Sequence, residues 1–225
     1  MKLSVIIPVF NEENTILEIL EKVKKVPIEK EIIIVDDGST DRTREILKNI
    51  KDERIKIIFK EKNQGKGSAI REGLKVVKGD IVVIQDADLE YNPNDWIKMI
   101  ELMEKENVEV VYGSRILGKN KKSSFLFYLG GRILSLIANI LYNAKITDEP
   151  TCYKMFKKQV INSINLKCNG FEFCPEVTAK IRKKGFIIYE VPISYNPRNI
   201  KEGKKIRLKD FFIAVWTLIK YRFFD

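Results

Sequence analysis

Residues 3–10 read LSVIIPVF and residues 31–37 read EIIIVDD. Each is a short aliphatic run without polar alternation, stopped by polar or acidic residues, as expected of a strand covered on both faces of a sheet. What lies between them decides the fold. From Asn11 to Lys25 the residues Ile16, Leu17, Leu20 and Val23 recur at helical spacing, so strand, helix and strand follow in order. The pattern then repeats. Ser39 to Ile50 opens with capping residues and reads as a helix, Ile55–Phe59 as a strand, and Gly67–Val77 as a helix. Asp80–Ile84 follows as a strand, Pro93–Lys105 as a helix and Val108–Tyr112 as a strand. Such alternation predicts an α/β domain whose mainly parallel central sheet is covered by helices on both faces.

Beyond Arg115 the alternation stops. Phe125 to Tyr142, FLFYLGGRILSLIANILY, is eighteen mostly apolar residues, where a bilayer span needs about twenty. Arg132 lies near its middle, and a spanning helix would bury that charge at a cost of about 2.5–3.5 kcal/mol. An interfacial or core helix is the expectation. Leu208 to Phe224 has the same character, with Trp216 and Tyr221 among basic residues. It suits a helix lying among headgroups or one packed on the domain. The helices are expected at about 123–142 and 207–224. With no repeat or linker, the 225 residues are expected to form one domain. The opening MKLSVIIPVF is too short for a signal peptide and has no small-residue cleavage site. A cytoplasmic protein is therefore expected, peripheral at the cytoplasmic face of the cell membrane.

Composition narrows the chemistry. There is no histidine, which removes Ser-His-Asp triads, Cys-His nucleophiles and His-ligated metals. Three cysteines without a CxxC pair support neither a disulfide framework nor a thiolate zinc site. The net charge is +10, and it is unevenly spread. Arg115 to Thr147 carries six basic residues and no acid, and Asn196 to Asp225 carries eight against three. Basic charge beside helix-length apolar sequence fits anionic lipid or phosphate better than duplex nucleic acid. Solvated surface lysine is the plainer alternative.

Ligands of an open parallel sheet bind outside the carboxyl ends of its strands. Here those ends are acidic: Asn11-Glu12, Asp36-Asp37 and Asp86-Ala87-Asp88-Leu89-Glu90. No GxGxxG turn follows the first strand, and Gly65-Lys66-Gly67-Ser68 does not satisfy GxxxxGK[ST], so neither a nicotinamide site nor a kinase loop is supported. Asp86 and Asp88 on one turn repel each other unless a cation lies between them. Mg2+ or Mn2+, completed by substrate phosphates and water, fits that need, and Glu90 could add a third oxygen.

The set VIIPVFNE, IIIVDDGSTD, KNQGKGSAIREGL, the DAD and then GSR resembles family 2 glycosyltransferases of the GT-A fold. Within that family it is most similar to polyprenyl-phosphate sugar synthases such as dolichyl-phosphate mannosyltransferases, from Lys2 to about Lys205. The resemblance implies that Pro8, Phe10 and Glu12 line a nucleotide pocket and that Val35 and Asp37 hold the base. It implies that Asp86, Ala87 and Asp88 flank the diphosphate, with Asp86, Asp88 and Glu90 as metal ligands. Arg115 resembles the family's phosphate-binding arginine, and Arg132 a second one that reaches an acceptor phosphate. Asp88, Arg115 and Arg132 are thus the expected catalytic groups. Arg198 and Lys205 fall in a stretch similar to a basic loop that closes over the diphosphate, together with Glu202-Gly203-Lys204.

The expected reaction transfers a hexose from a nucleotide sugar of the GDP-mannose or UDP-glucose type. A polyprenyl phosphate is already anionic and needs positive charge rather than a base, which suits the basic segments. Thr147-Asp148-Glu149-Pro150-Thr151 differs from the usual Asp-Pro-Thr of the lipid-phosphate enzymes. It leaves open the alternative of a glycan hydroxyl acceptor with Asp148 or Glu149 as general base.

Overall fold

The aliphatic run of β1 (Leu3–Val9) has no polar face to offer solvent, and it lies at the centre of the sheet. In the computed structural model, which describes residues 1–120, 124–198 and 205–224, it is followed by α1 (Ile16–Lys25), β2 (Lys30–Asp36), α2 (Thr43–Lys48), β3 (Ile55–Phe59) and α3 (Lys66–Leu74). Next come β4 (Ile81–Ile84), α4 (Asp95–Lys105), β5 (Val110–Ser114) and α5 (Phe125–Tyr142). The chain ends with β6 (Lys154–Lys157), α6 (Lys158–Asn162), α7 (Phe173–Lys183), β7 (Tyr189–Pro192) and α8 (Leu208–Phe223). Ser123, the expected start of the first apolar helix, and Glu202-Gly203-Lys204 lie outside the described residues.

Seven strands form one sheet in the order β3-β2-β1-β4-β6-β5-β7. All pair in parallel except β6, which runs antiparallel to both β4 and β5. The strand order reverses between β1 and β4, and right-handed crossovers place α1 and α2 on one face and α3 on the other. The switch point at which ligands of such sheets bind is therefore at the carboxyl ends of β1 and β4.

The second half carries two strands and two helices that the alternation did not announce. β6 is only KMFK, and its Lys154 is fully buried. The ammonium donates to the carbonyls of Glu149 at 2.5 Å and Thr151 at 2.9 Å and sits 4.3 Å from the Tyr112 ring centre. In α7, Glu176 is buried yet accepts from Lys180 at 2.8 Å and from Tyr221 Oη at 2.8 Å, which ties α8 to α7. Polar residues placed inside in this way erase the periodicity that marks a core helix.

α5 and α8 pack on each other and on α7. The Tyr142 hydroxyl donates to the Leu218 carbonyl at 2.5 Å, and Leu134, Ala138, Ala214 and Leu218 face inward. Their opposite faces are bare: Leu126 is 79% exposed, and Phe125, Leu136, Ile140, Phe212, Trp216 and Phe223 are exposed with it. Each helix is thus both packed on the domain and apolar on its outer side. α5 is also, by length and composition alone, long and apolar enough to cross a membrane.

Candidate active site

The loops after β1 and β2 are built on each other. Asn11, held at φ 50°, exchanges hydrogen bonds with Thr40, accepting its amide at 2.8 Å. Ser39 Oγ accepts the Asn11 amide at 3.0 Å, and Thr43 Oγ1 accepts that of Glu12 at 2.9 Å. Gly38 has φ +74°, and a Cβ there would lie 2.6 Å from the Asn63 nitrogen, so the loop after β3 closes tightly over it.

Asp37 is buried under that closure. Its carboxylate pairs with Lys60 and accepts the amides of Gln64 at 3.2 Å and Gly65 at 2.6 Å. Lys60 also donates to Ser68 Oγ at 2.9 Å. Val35, within β2, is fully buried, whereas Pro8 and Phe10 are partly exposed beside it. Asp37 thus holds the β3–α3 loop in place, and Lys60, which the motif reading passed over, is its counter-charge.

The three acids of the β4 turn diverge. Asp86 pairs with Lys66, another residue not singled out beforehand, although its Gly-Lys-Gly setting was visible. Asp88 pairs with Arg198 at 2.7 Å. Glu90 accepts the Tyr195 hydroxyl at 2.9 Å and the Arg198 amide at 2.8 Å. The same Arg198 guanidinium reaches Glu12 at 3.3 Å, and Lys205 pairs with Glu12 at 2.7 Å and also donates to the Phe10 carbonyl. Sequence-distant Glu12, Asp88, Glu90, Arg198 and Lys205 therefore meet in one cluster, with Ala87 buried behind them.

Electrostatics follow from this crowding. Burial, with Asp86 and Glu90 close by, pushes the Asp88 carboxyl up to about 7, against the pull of Arg198. Burial would raise Asp86 as well, yet the Lys66 ammonium keeps it below the usual carboxylate range. Lys66 is itself raised by Asp86 despite the opposing effect of burial. Among the described residues no three acidic or thiol side chains converge as a closed metal cage. A nest of hard oxygens with a guanidinium between them, and one acid left partly protonated, is short of positive charge. It fits a divalent ion that takes one or two carboxylates and completes its shell with phosphate oxygens.

Arg115 leaves the end of β5 and grips Asp148 with two parallel bonds, Nε at 2.8 Å and a terminal nitrogen at 2.7 Å, while its amide also donates at 2.8 Å. The guanidinium lies 5.0 Å from the Tyr195 ring centre. Although burial opposes it, Arg115 holds the Asp148 carboxyl below its ordinary value. Arg132, exposed on α5, donates to the Thr147 carbonyl at 3.1 Å, so both arginines attach to adjacent residues of one loop. Glu149 points away into the core, fully buried, with Oε1 3.3 Å from Thr178 Oγ1 and Oε2 without a partner. Burial raises its carboxyl above the ordinary glutamate value, against the pull of Lys154.

Comparison with known proteins identifies the fold and the family. The structure resembles glucosyl-3-phosphoglycerate synthase from Mycobacterium tuberculosis solved with Mn2+, uridine diphosphate and phosphoglyceric acid, with a TM-score of 0.73 and 18% identity over 98% of this chain and 76% of that one. The same enzyme solved with Mg2+ and uridine diphosphate gives a TM-score of 0.72. In sequence, the chain is 31% identical to dolichol-phosphate mannosyltransferase of Pyrococcus furiosus over 91% of this chain and 59% of that protein. It is 29% identical to the low-salt glycan biosynthesis hexosyltransferase Agl6 of Haloferax volcanii over 87% of this chain and 48% of that protein. The chain thus spans about half the length of these two relatives. The family model described as glycosyl transferase family 2 matches residues 4–164, most of the chain and all three acidic strand ends, and the protein is a family 2 glycosyltransferase with the GT-A fold.

Proposed function

We propose that the enzyme moves a hexose, with inversion, from a nucleotide sugar of the GDP-mannose or UDP-glucose type to a polyprenyl phosphate at a membrane surface. The observation that carries this reading is the attachment of Arg115, after β5, and Arg132, on α5, to adjacent residues of one loop, Thr147 and Asp148, beside the bare apolar outer side of α5. A phosphate with an apolar tail matches that pairing of charge and hydrocarbon. The relative named as a dolichol-phosphate mannosyltransferase supports the acceptor class. The bare faces of α5 and α8 and the flanking basic residues support a peripheral position on the cytoplasmic face of the cell membrane.

In this mechanism the nucleotide lies across the ends of β1 and β2, against Pro8, Phe10 and Glu12 and over the Val35–Asp37 strand end. Its diphosphate reaches Asp86-Ala87-Asp88. Asp88, with Asp86 and Glu90 beside it, would hold Mg2+ or Mn2+, which supplies charge neutralisation on the departing diphosphate. Arg198 and Lys205 leave Glu12 and Asp88 for the diphosphate oxygens. Arg115, kept rigid by Asp148, and exposed Arg132 hold the acceptor phosphate, whose oxygen forms the new bond to the anomeric carbon. The old carbon–oxygen bond breaks with its electron pair going to the nucleoside diphosphate. No side chain need take a proton, because the attacking phosphate is anionic.

A general base at Asp148 or Glu149 finds no support. The first is locked to Arg115 and the second is sealed in the core. The test is transfer of radiolabel from GDP-mannose and UDP-glucose, with Mg2+ or Mn2+, to a short polyprenyl phosphate and to soluble sugars in parallel. Label in an acid-labile lipid is expected, and label on soluble glycan alone would refute the acceptor.

A further inference from the structure

Between α5 and β6, residues 143–153 form neither helix nor strand, yet side chains from other elements accept four consecutive amides there. Asn139 Oδ1 takes that of Ile146 at 2.9 Å, and Ser135 Oγ that of Glu149 at 2.9 Å. Glu190 takes the two between them, Oε2 accepting from Thr147 at 2.8 Å and Oε1 from Asp148 at 3.1 Å. These two residues are the ones that carry both arginines. The Thr147 carbonyl accepts from Arg132, and the Asp148 carboxylate from Arg115.

We infer that Glu190 is a positioning residue for the acceptor-phosphate site: by clamping the Thr147 and Asp148 amides it fixes the spacing of Arg115 and Arg132. The inference rests on the role proposed above for those two arginines. Two neighbouring amides that point the same way call for two acceptor oxygens on one rigid carbon, which a carboxylate provides and an amide or hydroxyl does not. The clamp also decides what the loop is fastened to. Glu190 lies on β7, in register with Tyr112 of β5, and Arg115 leaves the end of β5 directly. Both supports of the Arg115–Asp148 pair are therefore paired strands of the sheet. Asn139, Ser135 and Arg132 all belong to α5, and the Ser114 hydroxyl at the end of β5 lies 2.6 Å from Thr147 Oγ1. Glu190 therefore acts beside Ser114 in holding the helix-borne arginine in step with the strand-borne one, and it alone takes the two amides. Glu190 itself need not touch either substrate.

Glu190→Ala and Glu190→Gln test this in the full chain, with hydrogen exchange of peptides covering 143–153, polyprenyl-phosphate KM and nucleotide Kd as readouts. For the alanine variant, exchange at Thr147 and Asp148 is expected to rise about tenfold or more, because two charge-assisted bonds are lost. The acceptor KM should rise by about the same factor while nucleotide Kd stays within about twofold. Glutamine keeps one acceptor oxygen and turns an NH2 toward the other amide, so it should fall between the two. Unchanged local exchange would overturn the inference. So would exchange rising along the whole chain with nucleotide binding lost in step, since that is the mark of a packing residue. Arg132→Ala, run in parallel, separates the two levels. If it raises the acceptor KM and Glu190→Ala does not, the Glu190 inference alone fails, and if it leaves the KM unchanged, the acceptor reading beneath it fails.

Discussion

Replacing Leu136 on α5 and Trp216 on α8 by glutamine should detach the protein from anionic bilayers without disturbing its fold. The two side chains are 57% and 56% exposed, so little more than half of each remains to be buried in a lipid surface. Complete burial of a large apolar side chain is worth about 1.5–3 kcal/mol, and the remaining half therefore about 1–1.5 kcal/mol. The two lie on different helices, and additive loss would total about 2–3 kcal/mol, or about 30- to 150-fold in the partition coefficient. Nearly half of each side chain is already covered by the domain, with the Trp216 ring 6.4 Å from that of Phe224, so unfolding stability should fall by about 1–2 kcal/mol while the fold is kept. Cosedimentation with vesicles of phosphatidylcholine and phosphatidylglycerol measures the partition, and thermal unfolding checks the fold. Raising the salt should weaken binding of both proteins, because the basic residues flanking the helices act through screened charge. Equal partition of wild type and variant would refute the membrane role of these faces, as would a wild type that stays in the supernatant.

Three further outcomes are expected. Asp88→Asn should abolish Mg2+- or Mn2+-dependent nucleotide binding. In the wild type that binding should weaken as pH falls below about 7, because a raised carboxyl must lose its proton before it can hold a cation, and tryptophan-fluorescence titration between about pH 6 and 8 reads both effects. Arg115→Ala strands a buried carboxylate and should cost about 3–5 kcal/mol in denaturant unfolding at neutral pH. Asp148 is held below its ordinary value in the wild type by Arg115 against the effect of burial. Without Arg115 burial raises it, so the folded variant takes up a proton before the unfolded chain does and the penalty should shrink as pH falls from neutrality toward about 4. Glu149→Gln should retain transfer activity. Folding raises this carboxyl, so the folded state binds the extra proton and the wild type loses stability as pH rises above about 4.5. The glutamine variant should lack that slope and be the more stable protein at alkaline pH, as measured by thermal unfolding across pH.

The first half of the fold was legible because its strands are continuous aliphatic runs and its helices keep one apolar stripe. β1 to β5 and α1 to α4 lie where the periodicity puts them, within a few residues at their ends. Phe125–Tyr142 matches α5 at both ends. β6, β7, α6 and α7 were not legible, since strands such as KMFK and YEVP are four residues long and α7 buries Glu176, Thr178 and Lys180. At the site, the acids announced themselves by standing after apolar runs, but their partners did not. Lys60 pairs with Asp37 and Lys66 with Asp86, and in sequence both are ordinary lysines of a loop and a helix start. Nor does spacing reveal that Glu12, Asp88 and Arg198 share a point, because such contacts are made only when the sheet closes.

The position of β6 between β4 and β5 sets an order of events on the ribosome. Strands β3, β2, β1 and β4 can join as soon as residue 84 has emerged, and they carry Glu12, Asp37 and Asp86 at their ends. β5, though made next, borders only β6 and β7. It must wait as an unpaired strand, every residue of which is buried in the finished fold, until residues 154–157 and 189–192 arrive. Four strands of the sheet can thus pair well before the other three, and during that interval both β5 and the free side of β4 lack their partner strands. Chains released between residues 115 and 188 are the ones expected to aggregate or to be captured by holding chaperones, most of all those that end before residue 154.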